Sequence, residues 1–117
     1  MPIDIIAPVT PLAAATTQAL ADALAAIFGS KPRGTWVTLR AVPATHYAEN
    51  GGLLPGDAPV FARILQRDPP QGDALRAEIR AVTATIAKLL ARPERNVHVI
   101  YEPSARGRVA FGGTLVE

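Results

Sequence analysis

The feature that most constrains this chain is that it runs through one plan twice. Proline, short β-branched strand, helix, strand, irregular run, Gly-Gly: the first pass spans residues 2–52 and the second 59–113. Trp36 to Gly52 is 16 residues, and Val97 to Gly113 is again 16. A repeat on this scale marks a duplicated β-α-β unit. Each unit is expected to be a right-handed parallel crossover. Two units sharing a sheet predict an α+β fold: four strands, with both helices on one face, in a single domain over residues 1–117. The other face then carries Trp36, Thr38, Arg40, His98 and Ile100. Apolar groups on an open sheet face need cover, and symmetric self-association supplies it most simply.

The elements follow from local pattern. Ile3 to Val9 is rich in β-branched residues and reads as a strand. Thr10 and Pro11 have the form of a helix N-cap and first turn. The alanine-rich stretch from Pro11 to Phe28 favours helix, with Leu20, Leu24, Ile27 and Phe28 on one face and Gly29 as its C-terminal stop. Thr35 to Val42 is a second strand, with Val37, Leu39 and Ala41 opposite Trp36, Thr38 and Arg40. Residues 43–59 form a Gly- and Pro-rich connection with room for a short hairpin strand. Pro59 to Gln66 is a third strand. Asp73 to Ala91 carries the clearest helical stripe, Leu75, Ile79, Val82, Ile86, Leu89 and Leu90, with Arg76, Glu78 and Arg80 off it. Asn96 to Glu102 is the fourth strand. Gly112-Gly113 and a short tail, Thr114 to Glu117, close the chain.

Composition removes several classes of function. The net charge is +2, from 12 basic and 10 acidic residues, and no basic run interleaved with aromatics argues for nucleic acid. A mild positive bias does suit a small anionic ligand. There are no cysteines and two histidines, so a disulfide framework or thiolate metal site is excluded, and a histidine-rich metal site is not expected. No basic, then apolar leader opens the chain, and no apolar run approaches membrane-spanning length. A cytoplasmic protein with no membrane and no nucleic-acid partner is expected.

Met1-Pro2-Ile3 carries the chemistry. If Met1 is removed, Pro2 presents a secondary amine at the start of a strand. With the duplicated plan and the paired Gly-Gly closures, this start resembles the tautomerase superfamily, the group of 4-oxalocrotonate tautomerase and macrophage migration inhibitory factor. Residues from Gly29-Ser30-Lys31-Pro32 through Val42-Pro43 to Gly51-Gly52 look like the first half of the migration-inhibitory-factor group. Val97-His98-Val99-Ile100, then Ala105 to Gly113, look like the end of a short 4-oxalocrotonate tautomerase subunit. The resemblance spans nearly the whole chain.

It implies a homotrimer of fused double units whose sheets line a central barrel. It implies that the Pro2 nitrogen is the general base in a keto–enol or double-bond tautomerisation of a small carboxylate, without metal or organic cofactor. An ordinary chain-terminal amine has a pKa of roughly 8. Apolar burial and nearby cations both disfavour the ammonium and bring the base toward neutral pH, where it works best. By position in the family pattern, Lys31 lines the pocket, Arg67 grips a carboxylate and Val109 is an apolar wall. His98 stands where the short tautomerases place a substrate-binding arginine, and Pro70 where a second loop arginine stands in the dehalogenase branch. Arg40 and Tyr101 complete the candidate substrate contacts. Each has a plainer alternative: a turn lysine, solvated arginines, a barrel-face histidine, a packed valine. Pro59, the counterpart of Pro2, has no titratable nitrogen and is structural. Two other functions stay open: water addition to an unsaturated or halogenated acid, with Glu49, Glu102 or Glu117 activating water, and a non-catalytic trimeric binding protein.

Overall fold

The computed structural model describes residues 1–8 and 15–117. Val9 and the helix start expected at Thr10 and Pro11 lie outside the described residues. Strands β1 (Pro2–Pro8), β2 (Trp36–Val42), β3 (Val60–Ile64) and β4 (Val97–Tyr101) form one sheet in the order β2-β1-β3-β4. Each outer strand runs parallel to its inner neighbour, and the two inner strands are antiparallel. Helix α1 (Thr16–Phe28) connects β1 to β2, and α2 (Gly72–Leu90) connects β3 to β4. The described part is thus the expected four-stranded α+β sheet with two helices.

The period-two alternation of the inner strands decides which face is covered. Ile3, Ile5 and Ala7 on β1 and Val60, Ala62 and Ile64 on β3 are almost completely buried. They form one cluster with Leu20 and Leu24 of α1 and Val82, Ile86 and Leu90 of α2. Each fully buried side chain of this size is worth about 1.5–3 kcal/mol. Residues of the opposite parity, Pro2, Asp4, Ile6, Phe61 and Arg63, lie on the open face. The rungs are fixed: Pro2 stands opposite Trp36, and Ile6 stands between Arg40 and Phe61.

Two expectations need correction. The connection at 43–59 holds no strand; Ala44–His46 makes a short 3-10 turn instead. The short tail, given no strand, is half of a hairpin: β5 (Ala110–Phe111) pairs with β6 (Thr114–Leu115). Gly112 and Gly113 turn it with φ of 58° and 86°, the two positive values that a two-residue hairpin turn requires. Glu78, off the apolar stripe, is half-buried and bonded to other side chains behind the sheet. Among the described residues, no helix is long and apolar enough to cross a membrane.

Candidate active site

Strand direction gathers the loops. β1 and β2 begin, and β3 and β4 end, at the same edge of the sheet. The segments 30–35, 65–68 and 102–111 therefore converge around Pro2. Its carbonyl accepts from the Leu65 N–H at 3.1 Å, which holds β1 to the chain leaving β3. Its nitrogen is in amide linkage to Met1. The Met1 carbonyl accepts from the Trp36 N–H at 2.9 Å, and the Met1 ammonium donates to the Gly34 carbonyl at 2.8 Å. Burial holds that ammonium's pKa below its ordinary value, and the methionine side chain packs on the core.

Two aromatic residues border this end. The Trp36 indole N–H donates to the Arg33 carbonyl at 2.8 Å. Its ring meets Phe111 edge-on, centroids 5.1 Å apart and planes at 84°. The tail hairpin is thereby set against the first rung of the sheet. The sequence reading had Trp36 only as an open-face residue and gave Phe111 no role. The signal available was position: Trp36 opens the strand parallel to the one that Pro2 opens.

The cations are tethered rather than loose. The Arg67 guanidinium donates to the backbone oxygen of Glu117 and lies 3.9 Å from Asp68. Arg106 also engages Asp68, with Nε donating to Oδ1 at 3.0 Å. The Arg106 guanidinium, with help from Arg67, holds the Asp68 carboxyl below the usual carboxylate range. Ser104 donates its hydroxyl to the Arg67 carbonyl, which ties loops 65–68 and 102–111 together. Val109 is half-buried where that loop enters the hairpin, its carbonyl accepting from the Val116 N–H at 2.9 Å. Lys31, in the turn after α1, lines an open cavity of about 560 Å³ with Asp22, Ser30, Arg33 and Thr35. Pro2 is not among its lining residues.

The remaining candidates sit elsewhere. Arg40, Ile6, Phe61 and His98 form one row across the open face. That row is four residues from Pro2, roughly 13 Å along the strand. His98 leans against Phe61 with centroids 5.4 Å apart, and Tyr47 flanks Phe61 at 6.2 Å. Within one chain, Arg40 and His98 therefore do not meet Pro2. Tyr101 is level with the Pro2 end but on the helix side of the sheet. Its hydroxyl donates to Glu78 Oε2 at 2.7 Å, and Gln66 Nε2 donates to Glu78 Oε1 at 3.3 Å. Burial first, and then the Glu78 carboxylate, push the Tyr101 phenol far above its ordinary value. On the open face Arg63 pairs with Glu102 at 3.2 Å, and Asp4 is the register partner of Arg63. Among the described residues, no group of three or more His, Asp or Glu side chains is placed to hold a metal ion.

No protein-family model and no curated protein sequence matches the chain. Its shape does match solved structures. A wild-type fused 4-OT, solved as an asymmetric trimer, superposes with a TM-score of 0.81 at 19% identity, over 98% of this chain and 95% of that one. Pt0534 inactivated by 2-oxo-3-pentynoate gives 0.76 at 20% identity, over 98% and 95%. A macrophage migration inhibitory factor homologue from Prochlorococcus marinus gives 0.77 at 18% identity, over the full length of both chains. The fold of the chain is that of the fused 4-OT and migration-inhibitory-factor structures.

Proposed function

We propose, from a chain with the tautomerase fold, a cofactor-free tautomerase that acts on a small 2-keto or 2-hydroxy-dienoate acid. The Pro2 nitrogen, freed by removal of Met1, is its general base. The observation that supports this most is the placing of Pro2. It opens an inner strand, stands opposite Trp36 and accepts from the Leu65 N–H, and lies at the end of the sheet where the loops carrying Lys31, Arg67 and Arg106 gather. Freed of Met1, the nitrogen has a lone pair that is no longer delocalised into an amide and becomes basic. It takes a proton from the substrate hydroxyl or from the carbon beside the carbonyl, becomes an ammonium, and leaves a dienolate. It then returns that proton to a different carbon. Cations on these loops favour both the neutral amine and a bound carboxylate.

The protein works as a homotrimer in this reading. Arg40 and His98, too far from Pro2 in their own chain, would face a neighbouring copy from the open sheet face. The asymmetric trimer of the fused 4-OT is in keeping with this. Water addition needs a carboxylate beside Pro2. Two of its candidates are engaged: Glu49 accepts from Tyr47 at 2.6 Å and Glu102 pairs with Arg63. The third, Glu117, lies against Arg67 through its backbone oxygen, and proton relocation is the reading we carry forward.

The test is ketonisation of an enolised arylpyruvate and of a 2-hydroxymuconate by chain whose Met1 removal is verified by intact mass. Chain with Pro2→Ala, and chain that retains Met1, run alongside. Turnover confined to the Met1-free parent is expected. Equal rates in all three would sink the reading.

A further inference from the structure

The rung that joins β1 to β2 at its very start has an unusual acceptor. In a parallel ladder every second N–H of one strand bonds to a carbonyl of its neighbour, and here the Trp36 N–H bonds to the Met1 carbonyl at 2.9 Å. That carbonyl belongs to the one residue whose removal the proposed chemistry requires. Its oxygen lies about 2.2 Å from the Pro2 nitrogen, because both atoms belong to the same amide. Removing Met1 thus does two things in one place. It gives Pro2 a basic nitrogen, and it leaves a backbone donor aimed at the space beside that nitrogen.

We propose that the Trp36 backbone N–H is a catalytic donor of the Met1-free protein, binding the oxygen that becomes anionic when Pro2 takes the proton. This rests on the reading of Pro2 as the base. The Met1 carbonyl oxygen stands in for the enolate oxygen of the substrate. An oxygen within hydrogen-bond reach of the Trp36 nitrogen places the carbon that gives up its proton, two bonds from that oxygen, beside the Pro2 nitrogen, which is the geometry a donor to a developing oxyanion needs. The donor is rigid. The Trp36 side chain is pinned by its indole bond to Arg33 and by the Phe111 ring, and its strand is locked to β1 over seven rungs. A donor already aimed costs no reorganisation when charge develops. It also lacks a charge of its own, so it leaves the pKa of Pro2 to the cations and the burial around it. The proton moves from substrate to the Pro2 nitrogen and back to another carbon; Trp36 keeps its own.

The test removes that N–H alone. Indole-3-lactic acid in place of tryptophan at position 36, introduced by semisynthesis, turns the amide into an ester and keeps the side chain. The same amide-to-ester change at Thr38 removes a ladder donor two residues further from Pro2. Expected for the Met1-free protein is a fall in kcat of about 10²-fold for the Trp36 ester, with KM nearly unchanged, and little effect for the Thr38 ester. A second measurement does not depend on the esters folding. Oxalate, a planar mimic of an enolate acid, is added to 15N-labelled Met1-free protein. The Trp36 amide proton is expected to move downfield while that of Thr38 stays put. Turnover that depends on Pro2 but is equally fast in both esters overturns this inference alone, as does a Trp36 amide that ignores oxalate. No Pro2-dependent turnover in the unmodified chain overturns the reading of Pro2, and this donor role with it.

Discussion

β1 and β3 are the two inner strands, antiparallel neighbours each introduced by a proline, and the two ends of the sheet they define are furnished differently. At the Pro2 end stand the chain start, the tethered arginines 67 and 106, and the tail hairpin with Phe111 on Trp36. At the Pro59 end, the 43–59 connection brings Tyr47 against Phe61, and Phe61 against His98. The same proline opens a strand at both ends, and for the sheet the two are interchangeable: neither has an N–H to place in the ladder. For chemistry they are not. Pro59 stays an amide under any processing, whereas Pro2 loses its only acyl neighbour with one cleavage. Backbone plan sets where a group sits, and the covalent neighbour sets what it does.

The largest effect should come from breaking that contrast directly. In Met1-free protein Pro2→Ala is expected to lower kcat/KM by about 10²-fold or more, the usual worth of a placed general base, while Pro59→Ala stays within about twofold. A loss at Pro59 as large as that at Pro2 would erase the distinction between the ends.

Stability, by contrast, should be shared between them. Ile64, level with the Pro2 end, and Ile5, in the middle of β1, are both fully buried in one cluster. Ile→Ala at either is expected to cost about 2–5 kcal/mol in urea unfolding, while half-buried Leu39 on the outer strand costs less.

Behind the Pro2 end, Tyr101→Phe should cost about 1 kcal/mol by removing its bond to Glu78. The pH dependence has a definite sign. A phenol whose pKa is raised on folding keeps its proton in the folded chain after the unfolded chain has lost it. Its contribution is whole below about pH 10 and is lost as pH climbs through the raised value. Unfolding free energy should therefore fall above that pH, and fall less steeply in Tyr101→Phe.

The helix ends give a smaller contrast. α1 stops on Gly29 with φ 64°, whereas α2 stops on Ala91 with φ 52°. Only the second carries a Cβ in the left-handed region, so Ala91→Gly should stabilise by about 1 kcal/mol and Gly29→Ala destabilise by a similar amount. The smallest effect is local: Arg106→Ala should return the Asp68 carboxyl toward the ordinary carboxylate range, read by carboxyl NMR, with the fold unchanged.

How much of this was legible beforehand depended on whether the cause was local. The strands, the helices and the buried face followed from periods of 2 and 3.6 in runs such as Ile3-Asp4-Ile5 and Val82 to Leu90. The tail hairpin was missed because β5 and β6 are two residues each; their evidence is the two positive φ angles of Gly112-Gly113, and the same doublet at Gly51-Gly52, also with φ of 83° and 99°, makes no hairpin. A glycine pair permits a turn without specifying one. Glu78 lies off the apolar stripe of its helix, and only Tyr101 and Gln66, from other elements, explain its place. Among the candidate contacts, Lys31, Arg67 and Val109 fall on loops at the Pro2 end, while Arg40 and His98 fall on the distant row. Sequence position could not separate them, since a one-chain reading does not say which row of the sheet meets the loops.

The chain has one tryptophan, and it is the residue opposite Pro2. Its fluorescence therefore reports on the first rung of the sheet. With Phe111 fixed against the ring and the indole N–H bonded to Arg33, the emission wavelength becomes a built-in optical gauge of that corner. Cleavage of Met1, arrival of a ligand, or displacement of the tail would each be read in real time, without a label and without a coupled assay.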